Sequence, residues 1–462
     1  MSSLGELERN QAVLETADAV KLPVTGTGAN GVLRFITAGS VDDGKSTLIG
    51  RLLHDTRSIL DDQLAAVGRA SKKRGRETLD LSLLTDGLEA EREQGITIDI
   101  AYRYFATPRR KFIIADSPGH EQYTRNMVTA ASTADAAVVL VDARKGILAQ
   151  TRRHLYIAHL LGIRRIIVAV NKMDLVGYEY EVFKGWREEL SRFAAPLHFP
   201  TLLFIPLSAL KGDMVVERGA AIDWYEGPTL LQALEEVRAE DPAISLPLRF
   251  PVQLVARPEA PHPSRPGLTN ESRPAVTNAA RRYLGQIASG VLFPGTPVTV
   301  LPSGQKTTVR EIRTLNGELS AAAAGDAVSL LLADEIDISR GDMLADSAAP
   351  PRVTRKIDAR VCWLGNELLQ RSRRYLVKHT TRTVKARISA LHERINIQTL
   401  ERQTGAQSLA MNEIGRITID LQQPLVCDAY DQDRNTGSFI LIDELTNQTV
   451  AAGMIESEAL TQ

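Results

Sequence analysis

The chain has 462 residues, 24% of them charged and 44% hydrophobic, with a formal net charge of −1 and two cysteines. That length predicts two or three domains, each with its own core, and the near-zero net charge offers no broad electrostatic footprint for nucleic acid. Cys362 and Cys427 cannot build a disulfide framework and read as buried thiols of a reducing cytoplasm, and the polar first thirty residues hold no apolar stretch long enough for a signal peptide or a membrane span.

Residues 1–31 read as a polar extension of mixed charge. From 32 to 240 strands alternate with helical patterns, which predicts a parallel sheet covered on both faces. The first apolar run, Val32-Leu33-Arg34-Phe35-Ile36, feeds Gly39-Ser40-Val41-Asp42-Asp43-Gly44-Lys45-Ser46, a G-x-x-x-x-G-K-[ST] phosphate-binding loop. Thr47 then opens a stretch with helical apolar spacing, so that backbone N–H groups and a helix N-terminus converge on the phosphates of a nucleotide. Lys45 is expected to reach the β and γ phosphates and the Ser46 hydroxyl to meet Mg²⁺. Gly39 and Gly44 supply a close backbone approach that a side chain would block. Asp42 and Asp43 are harder to place, because carboxylates beside phosphates repel them unless they point outward, bind a cation or meet a partner. The sequence leaves these three alternatives open.

The basic run Lys72-Lys73-Arg74-Gly75-Arg76 reads as a solvated stretch within a switch region rather than a nucleic-acid patch. The charged segment Glu91-Arg92-Glu93-Gln94-Gly95-Ile96-Thr97-Ile98 suits a movable loop, and Thr97 is placed where such a segment closes on Mg²⁺. Next, the strand Phe112-Ile113-Ile114-Ala115 ends in Asp116-Ser117-Pro118-Gly119-His120. Asp116 can hold Mg²⁺ through water and the Gly119 N–H can meet the γ-phosphate. His120, directly after Asp-x-x-Gly, is the candidate catalytic residue that orients the attacking water.

The apolar strand Ile166-Ile167-Val168-Ala169-Val170 ends in Asn171-Lys172-Met173-Asp174. Asp174 can accept from both the ring N–H and the exocyclic amine of guanine, a donor pair that adenine lacks. The stem of Lys172 can lie on the base, and Asn171 can tie this loop to the phosphate loop. Ser208-Ala209-Leu210, after Leu202-Leu203-Phe204-Ile205, offers N–H groups to the guanine carbonyl. Taken singly, Asp116 or Asp174 is most simply a strand-end cap. The four segments together, in this order, point to GTP with Mg²⁺.

Beyond Asp241-Pro242 the texture changes to short strands with turn residues: Phe250–Val255, Tyr283–Ala288, Pro297–Leu301 and Ala327–Leu332. A β-barrel over 247–346 is expected. Ser347-Ala348-Ala349-Pro350-Pro351 reads as a linker to a second barrel over 352–457, with strands Ile357–Trp363, Arg382–Ile388 and Arg416–Leu421. The proline-rich stretch from Ala256 to Arg281 is expected to be a mobile loop.

These residues resemble the translation-factor superfamily of GTPases, and within it the large GTPase subunits of bacterial sulfate adenylyltransferases. The resemblance runs from about Val32 to Met454 and includes the phosphate loop, Leu84 to Asp99, and Asp334-Glu335-Ile336-Asp337-Ile338-Ser339-Arg340-Gly341-Asp342. The superfamily loop usually reads G-H-V-D-H-G-K-[ST]; Ser40 and Asp43 stand here where its histidines would, which favours the sulfate-activation branch. The resemblance implies an α/β P-loop GTPase domain followed by two β-barrels. It also implies a cytoplasmic complex in which a small catalytic subunit binds ATP and sulfate and makes adenosine 5′-phosphosulfate and diphosphate, coupled to GTP hydrolysis by this chain. No second phosphate loop follows Met454, so the adenylylsulfate kinase fused to some relatives is not expected. The alternative is a translation factor that binds aminoacyl-tRNA or the ribosome. Neither nucleic acid nor membrane is expected as a partner on the first reading.

Overall fold

Six strands build one sheet: β1 (Val32–Ala38), β2 (Ala101–Ala106), β3 (Lys111–Asp116), β4 (Ala136–Asp142), β5 (Arg165–Asn171) and β6 (Thr201–Pro206), in spatial order β2-β3-β1-β4-β5-β6. The structure, a computed structural model, describes residues 31–73, 79–84, 99–120, 123–237, 242–256 and 281–457. Strands β1, β3, β4, β5 and β6 run parallel. β4 is buried along its whole length and β5 in all but its first residue, as strands covered on both faces must be. At one edge the expectation of a parallel sheet is corrected, because β2 is antiparallel to β3. The chain between them turns back within Thr107–Arg110, where the Thr107 N–H donates to the Arg110 carbonyl at 2.8 Å. So short a connection has no room for the crossover that a parallel pair requires.

The helices α1 (Lys45–Asp55), α2 (Asp61–Lys73), α3 (Thr124–Ala131), α4 (Ala149–Leu160), α5 (Tyr180–Ala194) and α6 (Leu230–Glu236) complete this part. Leu48, Ile49 and Leu52 of α1 are fully buried in one cluster with Phe35, Phe112, Leu140 and Leu234. Phe105 and Phe112 stack at 4.4 Å between centroids, with Phe35 set edge-on to both. Truncating one of these buried side chains to Ala costs about 3 kcal/mol. Register then positions the site. Thr37 lies opposite Asp116 and Asp142 opposite Asn171, so the carboxyl ends of β1, β3, β4 and β5 open onto a common crevice where the strand order reverses.

The rest of the chain is strand-rich: β7 (Arg249–Pro251), β8 (Leu254–Ala256), β9 (Arg282–Gln286), β10 (Val291–Leu292), β11 (Pro297–Leu301), β12 (Gln305–Thr314), β13 (Gly317–Leu319), β14 (Ala322–Ala323), β15 (Ala327–Leu332) and β16 (Met343–Asp346). The path β7-β16-β11-β12-β15-β9-β8 returns to its start, because β7 and β8 are two halves of one bent segment. The expectation of a single strand over Phe250–Val255 is therefore corrected: the Val252 N–H donates to the Asp342 carbonyl at 2.9 Å and the Gln253 N–H to the Leu284 carbonyl at 2.8 Å, so the chain changes partner at the bend. A second barrel follows with β17 (Arg352–Trp363), β18 (Tyr375–His379), β19 (Arg382–Ile395), β20 (Arg402–Thr404), β21 (Ile414–Cys427), β22 (Ser438–Asp443) and β23 (Thr449–Ile455). Its ring β18-β22-β23-β17-β21-β19 closes by pairing β19 with β18. β19 extends well past the expected Ile388.

Both barrels form one compact unit, while the hairpin segment Ile395–Gln403 groups with the α/β part. Within the barrel unit Arg249 of β7 meets Asp428 through two hydrogen bonds, Nε to Oδ2 at 2.8 Å and Nη2 to Oδ1 at 2.9 Å, both side chains being buried. Leu301, Met343, Ala345 and Val426 pack together in the same unit. Cys362 and Cys427 are buried free thiols, and burial pushes the Cys427 thiol up to about 12. Most of the proline-rich stretch, 257–280, and residues 74–76 of the basic run lie outside the described residues. No helix among the described residues is long and apolar enough to cross a membrane.

Candidate functional site

The phosphate loop leaves β1 at Gly39 and enters α1 at Lys45. Gly44 caps the helix with φ +94°, a left-handed conformation that L side chains rarely adopt, and a Cβ there would lie 2.4 Å from Asn171 Nδ2. Lys45 turns back over the loop, its Nζ donating to the carbonyls of Gly39 at 2.9 Å and Ser40 at 3.2 Å. Burial lowers its pKa, against the pull of Asp116, Asp43 and Asp42. Ser46 and Thr47 are half-buried on the first turn of α1, and Val41 is half-buried in the loop. The two neighbouring carboxylates part company. Asp42 is exposed with φ +68°, whereas Asp43 is 1% exposed and accepts the Ser40 N–H on Oδ2 at 2.6 Å.

Asp116 ends β3 almost fully buried, with Oδ1 accepting from the Thr37 hydroxyl at 3.1 Å. Ser117 Oγ donates to the Thr37 carbonyl at 2.7 Å, which fixes the turn into the buried Pro118 and Gly119. A Cβ on Gly119 would stand 2.4 Å from Lys45 Nζ and 2.6 Å from the Gly39 carbonyl oxygen, so only glycine fits beside the loop. His120 is half-buried and edge-on to Tyr123 at 6.1 Å.

On the other flank Asn171 joins three segments. Its Nδ2 donates to the Asp43 carbonyl at 2.7 Å, and its Oδ1 accepts the Ala209 N–H at 2.9 Å. Lys172 sits at φ +63° and its ammonium donates to the Asp42 carbonyl. Met173 is fully buried and Asp174 is half-buried in the short 3-10 turn Met173–Val176. The buried Ser208 Oγ accepts the Lys211 N–H at 3.1 Å, while Leu210 is 54% exposed. The phosphate loop, Asp116 and its turn, Asn171 with Lys172, and Ala209 are thus brought together. Thr97 lies outside the described residues.

Two residues of this constellation escaped sequence reading. Asp142, with no solvent exposure at the end of β4, accepts from Lys172 Nζ at 2.9 Å and from Arg144 Nε and Nη2 at 3.1 and 2.7 Å. Burial pushes its carboxyl up, but the hydrogen bonds from Arg144 and Lys172 outweigh it and hold the group well below the usual carboxylate range. The available signal was an aspartate ending the apolar run Ala136–Val141, the same pattern that marked Asp116. Arg51 of α1 donates through Nε to the Ala209 carbonyl at 3.2 Å and through Nη2 to the Leu210 carbonyl at 2.6 Å. Nothing local to Arg51 in the sequence announces that bridge.

Residues 30–240 match the family described as the elongation factor Tu GTP binding domain, and 356–456 match the GTP-eEF1A C-terminal domain-like family. Sulfate adenylyltransferase subunit 1 of Laribacter hongkongensis is 52% identical over 429 residues, covering 92% of this chain and 85% of that protein. The protein of the same description in Chromobacterium violaceum is 52% identical over 432 residues, covering 93% and 86%. The bifunctional enzyme CysN/CysC of Mycobacterium tuberculosis is 53% identical over 425 residues, covering 92% of this chain and 67% of the relative.

Proposed function

The chain belongs to the family of sulfate adenylyltransferase subunit 1, and from that premise we propose that it is the GTP-hydrolysing subunit of an ATP:sulfate adenylyltransferase. It couples GTP hydrolysis to the formation of adenosine 5′-phosphosulfate and diphosphate from ATP and sulfate. A small catalytic partner subunit in the cytoplasm binds ATP and sulfate and carries out adenylyl transfer. On this reading the GTP-binding domain spans 32–240 and the barrels 247–346 and 352–457.

The observation that supports the nucleotide site most directly is the Asn171 lock, which holds the phosphate loop and the Ser208–Leu210 segment in one frame. Lys45 brings a desolvated ammonium to the loop that cradles the phosphates. Asp174 reads guanine by accepting from the base's ring N–H and exocyclic amine, with the Ala209 region facing the carbonyl. His120 orients the water that attacks the γ-phosphate, a positioning role that lowers the barrier mainly through alignment.

For Mg²⁺ the Ser46 hydroxyl and the Asp116 carboxylate would supply the oxygen donors, with Thr97, outside the described residues, as the expected third. Oxygen donors, completed by phosphate oxygens and water, are the set this hard cation prefers. The turn after Asp116 passes directly against the phosphate loop, since a Cβ on Gly119 would lie 2.4 Å from Lys45 Nζ. When bound, the ion neutralises charge that develops on the phosphate oxygens.

The phosphosulfate anhydride is a high-energy bond, so adenylyl transfer is strongly uphill, and GTP hydrolysis drives conformational steps that pull product formation forward in the partner. The assay is sulfate-dependent pyrophosphate release from ATP, run with each subunit alone and with both. This chain alone is expected to make no adenosine 5′-phosphosulfate; with the partner, GTP raises the rate and extent of product formation, and a non-hydrolysable analogue does not raise the extent. Product from the isolated chain, or indifference of the pair to GTP, overturns the assignment.

A further inference from the structure

Asp43 occupies a position in the phosphate loop where a carboxylate is electrostatically unwelcome, yet its side chain is turned inward and 1% exposed. Oδ2 accepts the Ser40 N–H at 2.6 Å, and the Asp43 N–H returns to the Ser40 carbonyl at 3.3 Å, so the two residues close a tight reciprocal turn. Among the described residues its Oδ1 is buried without a hydrogen-bond partner, as is Ser40 Oγ. The Ser40 carbonyl is one of the two that hold Lys45 Nζ, and the Asp43 carbonyl is the anchor of Asn171. The clasp therefore sets the geometry of the residues that meet the phosphates.

The charge works against that geometry. Burial raises the Asp43 pKa and Asp142 at the end of β4 adds to it, while the Ser40 N–H, Lys45 of α1 and Lys172 after β5 favour the ionised form. Lys172 is already 2.9 Å from Asp142, Lys45 is spent on two carbonyls, and the exposed Asp42 adds a further negative charge nearby. A buried carboxylate here lowers the potential into which a nucleotide's phosphates must come, and low-dielectric surroundings leave that repulsion poorly screened.

Building on the reading of this loop as the GTP site, we propose that Asp43 governs nucleotide residence: its hydrogen bond shapes the loop while its charge weakens the hold on the phosphates, so that product GDP leaves readily. The two roles separate on substitution. Asp43→Asn keeps a carbonyl oxygen for the Ser40 N–H and removes the charge. Asp43→Ala removes both.

The test measures binding and dissociation of a fluorescent GDP analogue by stopped flow on the full chain, with thermal melts of each variant as the check on folding. The Asn variant is expected to bind about tenfold tighter, through slower dissociation, the effect of one unit charge about 6 Å away at an effective dielectric constant of about 40. The Ala variant is expected to bind more weakly than wild type. An Asn variant that binds no tighter than wild type overturns the electrostatic role, and an Ala variant as tight as the Asn variant overturns the clasp. Failure of the wild type itself to bind GDP defeats the assignment of the site, a result distinct from either.

Discussion

Lys172 and Asp142 form an ion pair of 2.9 Å across the carboxyl ends of β5 and β4, and Asp142 has no exposure to solvent. Arg144 completes the pairing from the other side, so the carboxyl is held well below its ordinary range and positions Lys172 through its head group. Lys172 in turn reaches the Asp42 carbonyl of the phosphate loop. The segment assigned to the base and the loop assigned to the phosphates are therefore joined through Lys172, which Asp142 holds in place from the end of β4.

Replacing Asp142 with Asn is expected to destabilise the protein by about 2 kcal/mol at pH 7, because two cations lose a buried partner, a penalty moderated by the exposure of Arg144. The folded-state pKa is depressed, so this stabilisation is fully present above the ordinary carboxylate pKa of about 4 and is lost as pH falls through the lower folded value. Thermal melts of wild type and variant from pH 7 to pH 3 check it: the gap between them narrows on the acid side. A gap that widens as pH falls would contradict the pairing.

Lys45→Ala is expected to lower GTP affinity at least a hundredfold, the loss of a charge-assisted contact to phosphate in a dry loop. Stability should change by less than about 1 kcal/mol, because burial already penalises the charged ammonium and, among the described residues, its acceptors are the two main-chain carbonyls of Gly39 and Ser40. Isothermal titration with GTP and a urea melt separate the two quantities. Micromolar or tighter binding in the variant would remove Lys45 from the site.

Asp174→Asn is expected to reduce GTP affinity roughly a hundredfold or more and to raise affinity for xanthosine triphosphate, because the amide donates to the xanthine carbonyl that a carboxylate repels. Competition between the two nucleotides for a fluorescent GDP analogue reports the ratio. An unchanged ratio assigns base reading to another residue.

For His120→Ala, binding and turnover should divide: GTP affinity within about twofold of wild type, and hydrolysis slower by a factor on the order of 100. Phosphate release is followed with the partner subunit, ATP and sulfate present. Equal rates would reject the water-orienting role.

The four nucleotide segments were legible because each is a local device: a glycine-rich turn, or a polar cluster ending an apolar strand, whose residue types carry their chemistry in contiguous sequence. The inward fold of Asp43 was not legible, since the sequence admits an outward carboxylate equally well and only the Ser40 N–H, brought round by the turn, decides for burial. Asp142 had the same local signature as Asp116, but its importance comes from register: the parallel pairing of β4 with β5 sets Asp142 beside Asn171, one residue from Lys172. Likewise β2 reads as a strand of either direction until its four-residue return to β3 imposes the antiparallel one.

By itself, then, the amino-acid sequence determined the order of elements, the phosphate loop and the segments proposed to read guanine, because short-range periodicity and turn chemistry are written in neighbouring residues. Tertiary structure decided which of these meet: Asn171 reaches Asp43 and Ala209, Arg51 reaches the carbonyls of Ala209 and Leu210, and Arg249 meets Asp428 across 179 positions. Such contacts depend on strand order and packing of distant segments, where the favourable partner for a buried polar group is fixed by the fold and not by its neighbours in the chain.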